Sequence, residues 1–159
     1  MKRMRILLAL GLAAAGVATL AACTHEQPIL ALNPQYRLAY DDKGETVALA
    51  YGLPNSDDVA LMLECAKGSG RVELSDTVRD TRATAVVLTA GGKKTSVLVR
   101  PQEGEEDQIL TGELPLSAPA LQAFRKAGVL QVSSGQARYT ITVGPGARAG
   151  VERFFKACG

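Results

Sequence analysis

The chain has 159 residues, a formal net charge of +2 from 18 Lys and Arg against 16 Asp and Glu, no tryptophan and one histidine. This length fits one domain around a single hydrophobic core. Nucleic-acid binding calls for basic residues that are clustered and interleaved with aromatic ones, and the sequence has neither cluster. Its 4% aromatic content also disfavours a sugar-binding surface built on aromatic platforms.

The first residues of the chain have the parts of an export signal. Lys2, Arg3 and Arg5 form a basic start, residues 6–20 form an apolar run, and small residues precede the cleavage point after residue 22. A membrane-spanning helix needs about 20 apolar residues, and this run ends earlier. The sequence therefore predicts a signal peptide over residues 1–22.

The leader ends in Leu20, Ala21, Ala22 and Cys23. This stretch resembles the lipobox of bacterial lipoproteins, whose cysteine is diacylated and becomes the first residue of the mature protein. The resemblance implies that Cys23 carries lipid and attaches the chain to a membrane. A soluble secretory signal is the alternative, but such a signal requires no cysteine at this position.

The same resemblance bears on location and charge. Thr24 is not the aspartate that commonly retains such proteins in the inner membrane of enteric bacteria, so the outer membrane is favoured over the inner one, with the domain facing the periplasm. Cleavage removes three of the 18 basic residues and leaves 15 against 16 acidic ones, a net charge near −1. The basic surplus thus belongs to the leader and indicates no nucleic-acid partner.

The remaining cysteines are expected to pair with each other. With Cys23 assigned to lipid, Cys65 and Cys158 are an even pair in an oxidising compartment. We predict that they form a disulfide, and two buried free thiols are the alternative. A zinc site would need more ligands, and the lone histidine, His25, lies beside the anchor. No metal or cofactor is expected.

Behind the anchor, a tether precedes a single domain. Residues 23–35 form the tether, which contains Pro28 and Pro34 and reaches at most ~40 Å when fully extended. Residues 36–159 form the domain, in which apolar residues recur with the period of two that is typical of strands. Turns rich in glycine separate these segments and predict hairpins. The predicted strands cover residues 36–40, 47–51, 59–65, 71–74, 83–89, 95–100, 109–114, 129–132 and 139–143.

A short internal helix is predicted to follow the seventh of these strands. Ser117 is its expected N-cap, and Pro119 is tolerated in the first turn. Leu116 and Leu121 are spaced for a hydrophobic staple. Gly128 supplies the C-terminal stop.

A C-terminal helix is predicted over residues 147–157. Its apolar face repeats at i, i+3, i+4 and i+7 in Val151, Phe154, Phe155 and Cys158. Glu152 and Lys156 are expected to pair on the other side of the helix. Because Cys65 shares a strand face with apolar residues, the predicted disulfide would pin this helix onto the sheet.

Together these elements predict an α+β fold. It is expected to be mainly an antiparallel β sandwich or bent sheet, with one short internal helix and a C-terminal helix packed on the sheet. Short strands with turns about every eight to twelve residues favour the sandwich. A closed barrel is the alternative.

No residue in the sequence stands out as catalytic. Nucleophilic catalysis needs an imidazole near the nucleophile, and His25 lies outside the predicted domain. Ser69 lies between two glycines, which indicates a turn. Residues 144–150 imitate a dinucleotide loop, but the chain behind them is too short for the second strand of such a site, and Arg148 suggests no more than a weak anion contact. Residues 103–107 are acidic but lack the spacing of a calcium loop.

The expected function is that of a non-enzymatic envelope lipoprotein. Such a protein would be a binding or assembly module, held at the membrane through Cys23 and in contact with other envelope proteins. The alternative is an enzyme or inhibitor that acts on envelope polymers such as peptidoglycan. Converging carboxylates in a cleft would favour the enzyme, and a protruding loop with an apolar tip would favour the inhibitor.

Overall fold

A computed structural model describes residues 29–77, 82–103 and 108–159 of the chain. The signal peptide, Cys23, His25 and residues 104–107 of the acidic loop lie outside the described residues. Within those ranges, no helix is both long and apolar enough to cross a bilayer.

The described part of the chain contains ten strands and two α-helices. The strands are β1 (Arg37–Asp42), β2 (Thr46–Gly52), β3 (Val59–Ala66), β4 (Arg71–Asp76), β5 (Ala85–Ala90), β6 (Lys93–Leu98), β7 (Arg100–Glu103), β8 (Gln108–Pro115), β9 (Val129–Ser134) and β10 (Ala137–Thr142). The helices are α1 (Pro119–Ala127) and α2 (Arg148–Cys158), and a single 3-10 turn, Pro145–Ala147, precedes α2.

The strands form two antiparallel sheets. The large sheet has the order β1-β2-β3-β4-β8-β7, and the small sheet has the order β10-β9-β5-β6. Most neighbours in each sheet are consecutive in the chain, because short turns connect them as hairpins. The predicted α+β class with dominant antiparallel sheet is confirmed. The described strands form two separate sheets and not the closed barrel that was the alternative.

Both sheets and both helices share one hydrophobic core. Helix α1 packs against β5, β6 and β9 of the small sheet, whereas α2 packs against β1 and β2 of the large sheet. The largest fully buried side chains come from all four layers: Tyr139, Phe124, Phe154, Leu49, Leu74, Leu88, Leu121 and Leu130. Both helices therefore contribute large side chains to the core, together with the two sheets.

The chain passes from the small sheet to the large sheet between β6 and β7. Val99 is the only residue between these strands, and its N–H donates to the carbonyl of Thr84 at 3.1 Å. Val99 is buried, whereas the side chain of Leu98 is 81% exposed. Gly112 of β8 lies directly against this crossing.

We expect Gly112→Ala to destabilise the fold at the crossing. A methyl group there would overlap the carbonyl oxygen of Leu98 and lie 2.9 Å from Cγ1 of Val97. Since the obstacle is backbone, the overlap should lower the free energy of unfolding by about 1–3 kcal/mol, measured by urea denaturation. Gly144→Ala is the control, because nothing lies within 4 Å of that added methyl. Equal stability of the two variants would contradict the crowding argument.

The start of α1 differs from the prediction. The N-cap is Ala118 and not Ser117, no side chain caps the helix locally, and Pro119 is its first residue. Instead, the N–H of Ala120 donates to the Thr95 hydroxyl of β6 at 3.1 Å. A strand hydroxyl thus satisfies one of the free N–H groups at the helix start. The helix ends at Gly128 with a φ of 71°, as predicted.

The predicted cysteine pair forms, but the predicted ion pair on α2 does not. Cys65 of β3 and Cys158 of α2 are joined by a disulfide with Cα atoms 5.8 Å apart. Glu152 does not pair with Lys156; its carboxylate accepts two hydrogen bonds from Arg125 of α1, at 2.9 and 2.7 Å. Helix α1 places the guanidinium of Arg125 beside Glu152. The two N–H groups of a guanidinium bind a carboxylate better than the ammonium group of a lysine does.

Candidate functional site

Two of the candidate residues named above, Ser69 and Arg148, have ordinary structural roles in the described part of the chain. The Ser69 hydroxyl accepts the N–H of Arg71 and donates to its carbonyl, as expected of a turn. Arg148 donates to the carbonyl of Lys126 at 2.8 Å, so its guanidinium helps to satisfy the C-terminal end of α1. Across the described ranges, no group of three or more His, Cys, Asp or Glu side chains is placed to hold a metal ion.

A groove runs between one edge of each sheet, β1 of the large sheet and β10 of the small sheet. We call it the edge groove, and its volume is about 750 Å³. This volume lies in the range of ligand sites, about 300–1,000 Å³. The groove is lined by Leu30, Leu32, Asn33, Pro34, Tyr36, Arg37, Leu38, Tyr51, Tyr139, Thr140, Thr142, Gly144, Pro145, Gly146 and Ala147.

Three of the four tyrosines of the chain line the edge groove. The rings of Tyr36 and Tyr51 meet edge to face, with centroids 5.7 Å apart. The Tyr36 hydroxyl donates to the Asp58 carboxylate at 2.6 Å. This hydrogen bond, together with burial and the charge of Asp58, raises the pKa of Tyr36 to about 12. The Tyr36 hydroxyl therefore remains a donor at neutral pH.

The third tyrosine connects the two sheets below the groove. Tyr139 of β10 and Asp76 of β4 are each 1% exposed, and the Tyr139 hydroxyl donates to Oδ1 of Asp76 at 2.9 Å. Burial, followed by the nearby Asp76 charge, raises the pKa of Tyr139 well above its usual value. The protonated hydroxyl is thus fixed as the donor to a buried carboxylate, which is a structural role.

The open edge of β10 presents peptide groups to the groove. Ser134 and Ala137 close the β9–β10 hairpin, and at its other end the N–H of Val143 donates to the carbonyl of Gly128 at 2.8 Å. Hydrogen-bonded and non-hydrogen-bonded pairs alternate in an antiparallel ladder. The peptide groups of Thr140 and Thr142 therefore point away from β9, and among the described residues no hydrogen bond engages them.

The β1 edge across the groove follows the same rule. The N–H of Lys43 donates to the carbonyl of Thr46 at 2.9 Å and closes the β1–β2 hairpin. Hydrogen-bonded pairs alternate with non-hydrogen-bonded pairs from Lys43 and Thr46 onward, and the pair of Leu38 and Tyr51 is a non-hydrogen-bonded one. The peptide groups of Leu38 therefore point away from β2. Both walls of the edge groove thus carry outward-facing backbone donors and acceptors.

A short arm, residues 29–35, borders the edge groove. Ile29 forms a parallel bridge with Arg138, and the N–H of Leu30 donates to the Arg138 carbonyl at 2.7 Å. The chain then turns, and the N–H of Tyr36 donates to the carbonyl of Asn33 at 3.0 Å. The second half of the expected tether therefore lies against the domain.

Sequence reasoning missed the edge groove. Its walls come from strands about a hundred residues apart in the chain, β1 and β10, and no local motif marks which strands become sheet edges. The only signal in the sequence was the concentration of a few tyrosines in predicted strands. Comparison of the chain with protein-family models, curated proteins and solved structures gives no match.

Proposed function

We propose that this chain is an outer-membrane lipoprotein, acylated on Cys23 and facing the periplasm, whose domain is a non-enzymatic binding module. The edge groove is its binding site. The observation that carries the proposal is the groove itself, a concave surface with three tyrosines in its lining and outward-facing peptide groups on its walls. Such a mixture of apolar surface with a few directed polar groups is typical of ligand sites.

The lining of the edge groove favours binding over catalysis. Among the described residues, its lining contains no carboxylate, histidine or cysteine, and these are the usual acid, base and nucleophile groups. The two nearest carboxylates described above, Asp58 and Asp76, each accept a tyrosine hydroxyl. The alternative, an enzyme acting on envelope polymers, calls for converging carboxylates that this lining does not supply.

The anchor is tested by metabolic labelling. Cells that express the protein are given labelled palmitate with and without globomycin, which blocks the lipoprotein signal peptidase. We expect label on the wild type, accumulation of a larger precursor with globomycin, and no label on Cys23→Ser, with the mature protein in the outer-membrane fraction. Cys65→Ser is the control for the loss of a cysteine and should keep the label. An unlabelled wild type would refute the anchor.

The binding site is tested by photocrosslinking in cells. A photoreactive phenylalanine analogue is placed at Thr140 in the groove or at Ser96 on β6, which is also exposed and lies at the opposite edge of the same sheet. We expect adducts of higher mass from position 140 and none from position 96. Equal adducts from both positions, or none from either, would contradict the groove as the binding site.

A further inference from the structure

We infer that the edge groove takes an extended peptide segment of another protein, and that this segment pairs through its backbone with the open edge of β10. The inference rests on the proposed function in one respect, that the edge groove is the binding site. It is independent of acylation at Cys23.

The spacing of the free peptide groups on β10 matches another strand. Thr140 and Thr142 are two residues apart on an extended strand, so their outward groups repeat at about 6.6–6.8 Å. An added strand offers its own N–H and C=O groups at the same interval. An edge of this kind is a template for strand addition, and both threonines are exposed.

The arm shows that this edge accepts extended backbone. Ile29 forms a parallel bridge with Arg138, and the N–H of Leu30 donates a hydrogen bond to the Arg138 carbonyl. No described hydrogen bond continues this pairing past Arg138, and the chain turns at Asn33 towards β1. Thr140 and Thr142 lie further along the same edge, and their outward peptide groups are the ones with which a second extended segment would pair.

The groove also determines which side chains the segment needs. Successive side chains of a strand point to opposite faces, so every second residue of the segment would face the tyrosine side of the groove. Tyr36 and Tyr51 are half-buried there, and Tyr139 lies below them. We therefore expect a segment in which apolar or aromatic residues alternate with polar ones.

The same features disfavour a glycan. Sugar stacking needs a flat exposed ring, whereas the rings of Tyr36 and Tyr51 stand at 89° to each other and the side chain of Tyr139 is 1% exposed. An acyl chain would leave the peptide groups of Thr140 and Thr142 without partners when it displaced water from them. An extended peptide satisfies these groups and also supplies apolar side chains.

Thr140→Pro tests the backbone pairing directly. Proline removes the N–H of residue 140, which points to the open edge, and leaves the ladder to β9 intact. Ser96→Pro is the matched control, because Ser96 is likewise a non-hydrogen-bonded position on the edge strand β6. Thermal unfolding of both variants, compared with the wild type, verifies that they fold.

The probe is a random dodecapeptide phage library, selected on the full protein purified from membranes in detergent. We expect enriched peptides with alternating apolar residues whose affinity falls about tenfold with Thr140→Pro and is unchanged with Ser96→Pro. Two methylated forms of such a peptide extend the test, one with methyl groups on the odd-numbered backbone nitrogens and one with methyl groups on the even-numbered ones. We expect one form to lose binding, because its methylated nitrogens face β10, and the other form to bind as before.

Two results would overturn the inference. One is a selection that yields no groove-binding peptide or yields peptides that bind Thr140→Pro as they bind the wild type. The other is a crosslinked adduct at position 140 that survives exhaustive protease digestion, which would keep the edge groove as a binding site and exclude a peptide as its ligand. The absence of any adduct at position 140 would instead count against the proposed function.

Discussion

Loss of the Cys65–Cys158 disulfide should lower the melting temperature of the protein by roughly 10–20 °C. The bond joins residues 93 positions apart, and closing a loop of that size is worth about 4–5 kcal/mol in the chain-entropy model. A typical domain has a stability of only about 5–15 kcal/mol. Cys65→Ser and Cys158→Ser should therefore both melt far below the wild type, as followed by circular dichroism.

Chemical reduction distinguishes the effect of breaking the disulfide from the effect of changing the cysteine side chains. Wild-type protein with a strong reductant, its thiols verified by titration, should melt close to the Cys65→Ala/Cys158→Ala double variant, which should itself be insensitive to the reductant. Both sulfur atoms are buried, with relative exposures of 4% and 0% for the two residues, so alanine avoids placing a hydroxyl in the core. A fully reduced wild type that melts like the oxidised one would contradict the assigned stabilisation.

The second large effect is expected at the hydrogen bond between the sheets. Tyr139→Phe removes the hydroxyl that donates to buried Asp76 at 2.9 Å. A hydrogen bond to a charged group is worth about 1.5–3 kcal/mol, and we expect a loss of that size in urea denaturation at pH 7. Tyr40→Phe is the control, since the Tyr40 hydroxyl is 3.4 Å from an exposed Asp42. Equal losses in the two variants would rule out a special role for the buried bond.

The same tyrosine predicts how stability depends on alkaline pH. The pKa of Tyr139 is raised in the folded state, whereas an unfolded tyrosine has a pKa of about 10. Above that pH the folded state holds a proton that the unfolded state loses, so the free energy of unfolding must fall as pH rises. Tyr36 acts in the same direction up to its folded pKa of about 12. Tyr139→Phe should make the decline shallower, and a wild type of constant stability from about pH 10 to 12 would contradict this.

Local patterns were enough to predict most of the elements. The hairpin of β5 and β6 follows from two strand-like runs around Gly91 and Gly92, both of which adopt positive φ in the structure. The buried face of α2 follows from helical spacing, which places Val151 and Phe154 in the core. The disulfide is predicted by elimination if Cys23 is taken to carry lipid, because Cys65 and Cys158 are then the two cysteines left. In the first two cases the residues that determine the element lie close together in the chain. In the third case there are so few cysteines that only one pairing is left.

Features that depend on distant partners could not be predicted in this way. The hydroxyl of Thr95 on β6 accepts a hydrogen bond from the first turn of α1. Glu152 of α2 pairs with Arg125 of α1 and not, as the sequence predicts, with Lys156 of its own helix. The edge groove is the largest example, because it requires knowing that β1 and β10 end up as neighbouring free edges. Strand pairing across long stretches of sequence decides this, and hydrophobic periodicity contains no information about it.

The bridge between the arm and β10 has a consequence for how the protein would stand on its membrane. If the lipid sits on Cys23, as we propose, the tether between the bilayer and Ile29, the first residue with a described contact to the domain, spans six residues, or at most about 20 Å. This is half the reach of the full tether. So short a tether would keep Leu30, and the part of the edge groove that it lines, close to the bilayer. Segments of proteins embedded in, or attached to, the same membrane would then reach the groove more readily than proteins diffusing across the periplasm.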